Sequence, residues 1–364
     1  MDTFDATRSE VMTIFVVTQI MLGASSPFAG RAMDALQIRT LVTVGTLCFA
    51  AALWLIAQAS ALWQIGVLYG TLFMSGSLLA GPLAAQTLAA RWFTENRATA
   101  IGLVSVGTSL GGISMPILVG WLLTQSDWRA AHEVLAVGVA VLVTPVVWLV
   151  VRNSPVDTTF EPTHGAIDAQ GAEPTGTWTT LSLITNRNFL LIVLVTTPLV
   201  TAAGAIQQNL APYASELSVA PQQIALLISI MAAVMVAGKV CYGLLADRFD
   251  HRILFASAIG LVWATLVLLG QQPDYLMLTL IVALLGFGMG GFLPLLGAMV
   301  ASRFGADAFG RAMGLIGPFT TVAAVGPLIA AYIRDSSGSY DVAWLLMMVI
   351  LVPSVIAIAL LKRS

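Results

Sequence analysis

The sequence predicts an all-α membrane protein of two pseudo-symmetric helical bundles, with eleven transmembrane helices arranged as five plus six. Three observations carry this. Hydrophobic residues make up 58% of the chain and charged ones 9%, against about 25% charge in a soluble domain. Continuous apolar runs of span length recur along it, and a crossing needs about 20 such residues because every backbone polar group must be satisfied within its own helix. A glycine, a carboxylate and an arginine also repeat at matched spacing: Gly30, Asp34 and Arg39 stand 213 positions before Gly243, Asp247 and Arg252, each set between two apolar runs. Such a repeat marks two related halves.

Taken in order, Met1–Glu10 is polar and lacks the basic start and short apolar core of a secretory signal. The runs of the first half fall at Val11–Ala29, Leu41–Gln58, Ile65–Ala90, Ala98–Leu123 and Val134–Val151. Those of the second fall at Phe189–Asn209, Ile224–Ala246, Ile253–Gly270, Leu276–Ala301, Ala312–Ile333 and Val342–Leu361. Their continuity excludes a barrel, whose strands alternate over about ten residues. The second half has a complete span, Phe189–Asn209, ahead of the one leading into Gly243; the first half has no partner for it, and so reads as lacking its first helix.

The expected organisation is therefore a five-helix bundle over 1–152, a linker over 153–187 and a six-helix bundle over 188–364. Asn153–Thr180, rich in Pro, Thr, Gly and Asp without an apolar period, reads as a solvated, flexible connector. Glycines gathered at 102, 107, 111 and 112, and at 286, 288, 290 and 291, are expected at helix interfaces, where small residues let backbones approach. With the Gly30–Thr40 loop cytoplasmic, only Arg8, Arg129 and Arg334 lie opposite and Lys239 lies within a span, leaving twelve of the sixteen Lys and Arg on the cytoplasmic side. That excess sets the orientation and puts the linker and the C-terminus in the cytoplasm of a cell whose inner or plasma membrane holds the chain. Cys48 and Cys241 sit inside apolar runs and read as packing residues.

The chemistry is sparse. Asp34 and Asp247 lie just past span ends beside arginines, where a carboxylate can take hydrogen bonds from a neighbouring helix N-terminus and pair with Arg248 or Arg252. This would make a conformational latch; the plainer reading is an exposed charged turn. Lys239 is the one charge inside a span, and a lysine at a helix centre costs about 2.5–3.5 kcal/mol. An anionic substrate would explain it, since a buried ammonium attracts a carboxylate; the alternative is a stem snorkelling to the surface, a reach of roughly 12 Å. Gln19, Gln86, Gln207, Asn209 and Tyr213 are secondary polar candidates for the substrate path, Gln207 and Asn209 standing at the outer end of their span. His132, His164 and His251 have no partners that make a metal set, and no phosphate loop or nucleophile motif is present. No cofactor, metal, nucleic-acid partner or enzymatic activity is expected.

Gly243-Leu244-Leu245-Ala246-Asp247-Arg248 resembles the cytoplasmic-loop signature of the major facilitator superfamily of transporters, and Gly30–Arg39 resembles a degraded copy of it without the base after the carboxylate. Within the superfamily, Arg91–Gly102 and Asp335–Tyr340 resemble the monocarboxylate and oxalate/formate porter-like branch. The resemblance implies the major facilitator fold and a solute carrier working by alternating access. It also implies that Asp247 meets the helix start near Arg97, and Asp34 the one near Arg311. With Ala35 in place of the base, the first latch would be the weaker. In monocarboxylate-type porters an arginine at the Lys239 position holds the substrate carboxylate. Lysine keeps the charge and loses the bidentate fork. Those porters often carry an acid where this chain has Met235, so a conventional proton relay lacks its carboxylate. The expected cargo is a small organic anion such as a monocarboxylate, carried by a monomer in the bilayer and coupled to a proton or to a counter-anion. Two rivals stay open: efflux of apolar, drug-like compounds, and a non-transporting receptor or inactive truncated carrier.

Overall fold

The computed structural model describes residues 8–93, 95–153, 178–323 and 325–361. Among these it is helical, with no strand. In chain order the helices are α1 (Arg8–Ala35), α2 (Ile38–Ala57), α3 (Leu62–Trp92), α4 (Arg97–Gln125), α5 (Trp128–Val150), the single-turn α6 (Thr180–Ile184), α7 (Arg187–Glu216), α8 (Pro221–Ala246), α9 (His251–Leu269), α10 (Tyr275–Phe304), α11 (Phe309–Ser337) and α12 (Asp341–Leu360). Ten of these, α2 to α5 and α7 to α12, are long and apolar enough to cross a bilayer. The eleventh expected span falls on α1, which is a helix of 28 residues but is not in that set. The connector over 154–177, the start over 1–7 and the terminal Lys362 and Arg363 lie outside the described residues.

Local chemistry sets the helix ends. Asn186, Asp127, Asp250 and Asp274 each cap the helix that follows by accepting a hydrogen bond from an amide of its first turn. α3 breaks at Gly81 and restarts with Pro82 in its first position, where the missing N–H is no loss. α10 is interrupted at Gly291, against which the Tyr242 ring packs. The expected continuous span Ile65–Ala90 is thus a composite, and it also carries a π-turn at Tyr69–Phe73; α5 has another at Val139–Val143.

Two compact units emerge, and each draws on both sequence halves. One comprises Met1–Thr94, Gly111–Leu183 and Arg303–Pro318; the other comprises Glu95–Leu110, Ile184–Ser302 and Phe319–Ser364. In the first, α2 packs against α3 and α5. In the second, α7 packs against α12 and the Val325–Ser337 part of α11, while α10 lies along α8 and α9. The interior of α7, with Phe189, Ile192, Leu199 and Ile206, is fully buried.

The α8–α10 contact is close because the glycines of α10 permit it. A Cβ at Gly286 would lie 2.5 Å from the Met231 carbonyl oxygen, and Gly290 and Gly238 face each other across the same seam. The glycines of α4 divide. Gly102 meets α8, whereas among the described residues a Cβ at Gly107, Gly111 or Gly112 meets nothing within 4 Å. Physical consequence: Gly286→Ala should lower the thermal stability of the detergent-purified protein by about 1–3 kcal/mol through overpacking. Gly107→Ala should be neutral or stabilising, by up to about 1 kcal/mol of helix propensity. Equal effects of the two would contradict this division.

Candidate latch and substrate sites

Each latch carboxylate is held against the first turn of another helix. Asp247, at the C-terminal end of α8, accepts hydrogen bonds from the Ala98 and Thr99 amides of α4, both at 2.8 Å. These belong to the orphan donors that every helix start leaves, and the helix dipole favours an anion there. Thr99 Oγ1 adds a donation to the Gly243 carbonyl at 3.2 Å. The approach depends on glycine: a Cβ at Gly102 would sit 2.7 Å from the Lys239 carbonyl oxygen and 3.1 Å from Gly243 Cα.

Asp34 makes the equivalent contact with α11, accepting from the Gly310 amide at 2.9 Å and the Arg311 amide at 2.7 Å. Gly30 lies against Gly310 and Gly314, with no room for a side chain. Where the signature has a base after the carboxylate, a distant residue supplies one. Arg91 Nη2 stands 3.9 Å from the Asp34 carboxylate and donates to the Met33 carbonyl at 2.6 Å. The Asp34 side chain is 2% exposed. Its burial pushes the carboxyl up to about 6 from 3.8, against the opposing pull of the Arg311 amide, the Arg91 guanidinium, the Gly310 amide and the Arg311 charge.

The arginines around the latches do other work. Among the described residues neither Arg248 nor Arg252 forms an ion pair with Asp247, whose two oxygens are taken by α4 amides. The Arg252 amide instead donates to Asp250 in the cap of α9. The Arg39 guanidinium stacks 4.0 Å over the Trp148 ring, and its amide donates to Asn153 Oδ1. Arg97 begins α4, whose next two amides hold Asp247. Arg311 serves twice, its amide on Asp34 and its guanidinium donating to the Trp178 carbonyl, where the chain leaves the connector.

Lys239 does not snorkel. The residue is 4% exposed, and its ammonium donates to the Ser105 carbonyl at 2.8 Å, to Thr108 Oγ1 at 2.7 Å and to Ser109 Oγ at 2.7 Å, all on α4. All three protons are engaged, yet every partner is neutral, and no carboxylate among the described residues pairs with it.

The secondary candidates are scattered. Asn209, 5% exposed, donates to the Ala205 and Pro327 carbonyls and accepts from Tyr340, and Tyr213 donates to the Leu269 carbonyl at 2.6 Å. Both are spent in helix packing, as amides and phenols inside bundles commonly are. Gln86 is 1% exposed and its Oε1 has no hydrogen-bond partner among the described residues, while Gln19 and Gln207 are half-buried. Of the three that share its unit, Gln207, Asn209 and Tyr213, none is a hydrogen-bond partner brought to the Lys239 ammonium. The residues that are, Ser105, Thr108 and Ser109, did not stand out by composition, but the repeat could have pointed to them. Ala98-Thr99 and Thr108-Ser109 precede Gly310-Arg311 and Thr320-Thr321 by the same 212 positions.

Known proteins match this arrangement along the whole chain. The family model described as Major Facilitator Superfamily matches residues 1–213 and 199–364. Monocarboxylate transporter 12 of Rattus norvegicus is 26% identical over 367 residues, covering 93% of this chain and 74% of that protein. Its Mus musculus counterpart is 28% identical over 315 residues, covering 78% of this chain and 62% of that protein. Among solved structures, the transporter FucP in its outward conformation superposes with a TM-score of 0.72 at 15% identity, covering 100% of this chain and 92% of that one.

The raised Asp34 carboxyl fixes the sign of a pH effect. While held against α11 it binds its proton up to about pH 6, whereas released to solvent it returns toward 3.8. Its stabilising contribution is therefore fully present below the released value and is lost as pH rises through about 6. The thermal midpoint of the purified protein should fall between pH 4 and pH 7 by more than that of Asp34→Asn, in which no proton can be lost. Parallel pH profiles would refute the linkage.

Proposed function

The chain belongs to the major facilitator superfamily and is a multi-pass membrane transporter, and on that premise we propose that its cargo is a small organic anion, monocarboxylate-like, moved by alternating access. The observation that carries this reading is the ammonium of Lys239: buried, inside a span, and surrounded by neutral acceptors only. A charge that costs a few kcal/mol to hold in a helix centre is completed by a counter-charge. With no protein carboxylate supplying it among the described residues, a carboxylate cargo is the fitting complement, and a lipophilic cation would be repelled.

The names of the relatives agree in chemical class, two being monocarboxylate transporters. In the proposed cycle Asp34 and Asp247 are latches whose bonds to the first turns of α11 and α4 close the cytoplasmic side and break as it opens. Protons and counter-anions are the two coupling partners compatible with Lys239. The arginine distribution supports an orientation in the plasma or inner membrane with connector and C-terminus cytoplasmic, and the carrier is proposed to act as a monomer.

Reconstituted into liposomes, the wild type should take up radiolabelled lactate or pyruvate saturably. Lys239→Ala should reduce that uptake by at least about tenfold, the scale of one lost charge-assisted bond, while inserting normally; Lys239→Arg should keep part of it. Wild-type uptake kinetics in Lys239→Ala would remove the basis for an anionic cargo. A pH gradient that drives accumulation identifies proton coupling, and acceleration by internal lactate identifies exchange.

A further inference from the structure

We infer that Ser109 is a second donor to the substrate carboxylate, alongside Lys239, and that the neighbouring Thr108 is not; this rests on the proposal that Lys239 holds an anion. The argument follows the protons. A serine hydroxyl inside a helix ordinarily donates to the carbonyl four residues back. For Ser109 that acceptor is the Ser105 carbonyl oxygen, which already takes the Ser109 backbone N–H of the helix ladder and is claimed further by the Lys239 ammonium at 2.8 Å and by Thr108 Oγ1 at 2.7 Å. Ser105 Oγ is itself turned back to Ile101. Ser109 Oγ accepts from Lys239 at 2.7 Å, and among the described residues its own O–H has no acceptor.

The two hydroxyls thus differ although both touch the ammonium. The proton of Thr108 is committed to Ser105, whereas that of Ser109 is available within one bond of a buried positive charge. A carboxylate has two oxygens, each able to accept. One takes an ammonium proton by displacing a neutral acceptor, a favourable exchange because charge-assisted bonds are roughly twice as strong as neutral ones. The other meets the Ser109 O–H. Lysine alone, lacking the planar fork of an arginine, would hold a carboxylate without fixing its rotation. Ser109 supplies the missing second point, so the pair reproduces with two residues what a guanidinium does with one.

The test is initial-rate lactate uptake by the full chain in liposomes, with KM and maximal rate measured separately. Ser109→Ala should raise KM about tenfold with little change in maximal rate, Ser109→Thr should restore it, and Thr108→Val should raise KM less than Ser109→Ala does. If Ser109→Ala only lowers the amount of folded protein, or if it and Thr108→Val shift KM equally, Ser109 is a packing residue and the inference fails, while the loss of uptake in Lys239→Ala would still support the anion site. Wild-type KM in Lys239→Ala, or no saturable uptake by the wild type, overturns the parent proposal and this inference with it.

Discussion

The contact line between α4 and α8 is what the rest of the molecule depends on. It begins with a carboxylate on two backbone amides, runs through a crossing where Gly102 and Gly243 leave no space for a side chain, and ends at an ammonium on three α4 oxygens. In lipid the hydrophobic effect does not drive helices together, so close backbone approach and interhelical hydrogen bonds must do so. Here both are arranged along one seam, and polar bonds mark each end of it. The same seam carries the only charge that the sequence places inside a span.

Much of this was legible in the residues. The apolar runs gave ten helices at nearly their observed bounds, because span length is imposed by the bilayer and not by tertiary detail. The helix starts that receive Asp34 and Asp247 were anticipated from the loop signature and its echo. Side-chain geometry was less legible. Arg248 and Arg252 looked like partners for Asp247, yet among the described residues neither forms an ion pair with it, and the bond from Arg252 to Asp250 comes from its backbone amide. Sequence proximity to a carboxylate says little when that carboxylate points at another helix. Arg91 shows the converse, a base supplied to Asp34 from 57 positions away.

Lys239 was recognisable because a charge in an apolar run is expensive, but its partners are ordinary hydroxyl residues on a helix more than a hundred positions earlier. Asn209 and Tyr213 drew attention for the opposite reason: they are polar in an apolar setting, and packing absorbs them completely. Polarity alone therefore does not separate a candidate ligand contact from helix glue. What separates them is whether a donor has protons to spare once its neighbours are counted, a question about atoms that no composition answers.

The repeat is faithful in its backbone and unequal in its charge. The position that holds Lys239 in the second half is held in the first by Ser26, a small neutral residue lying against Gly317. A solitary cation partway through the bilayer stands inside whatever voltage the membrane bears, and a full charge crossing 100 mV exchanges about 2.3 kcal/mol with it. Joined to a monovalent anion, the same site is neutral and indifferent to that voltage. Membrane potential would then act on one leg of the cycle and leave the other alone, an electrical asymmetry that descends from a single substitution between two copies of one motif.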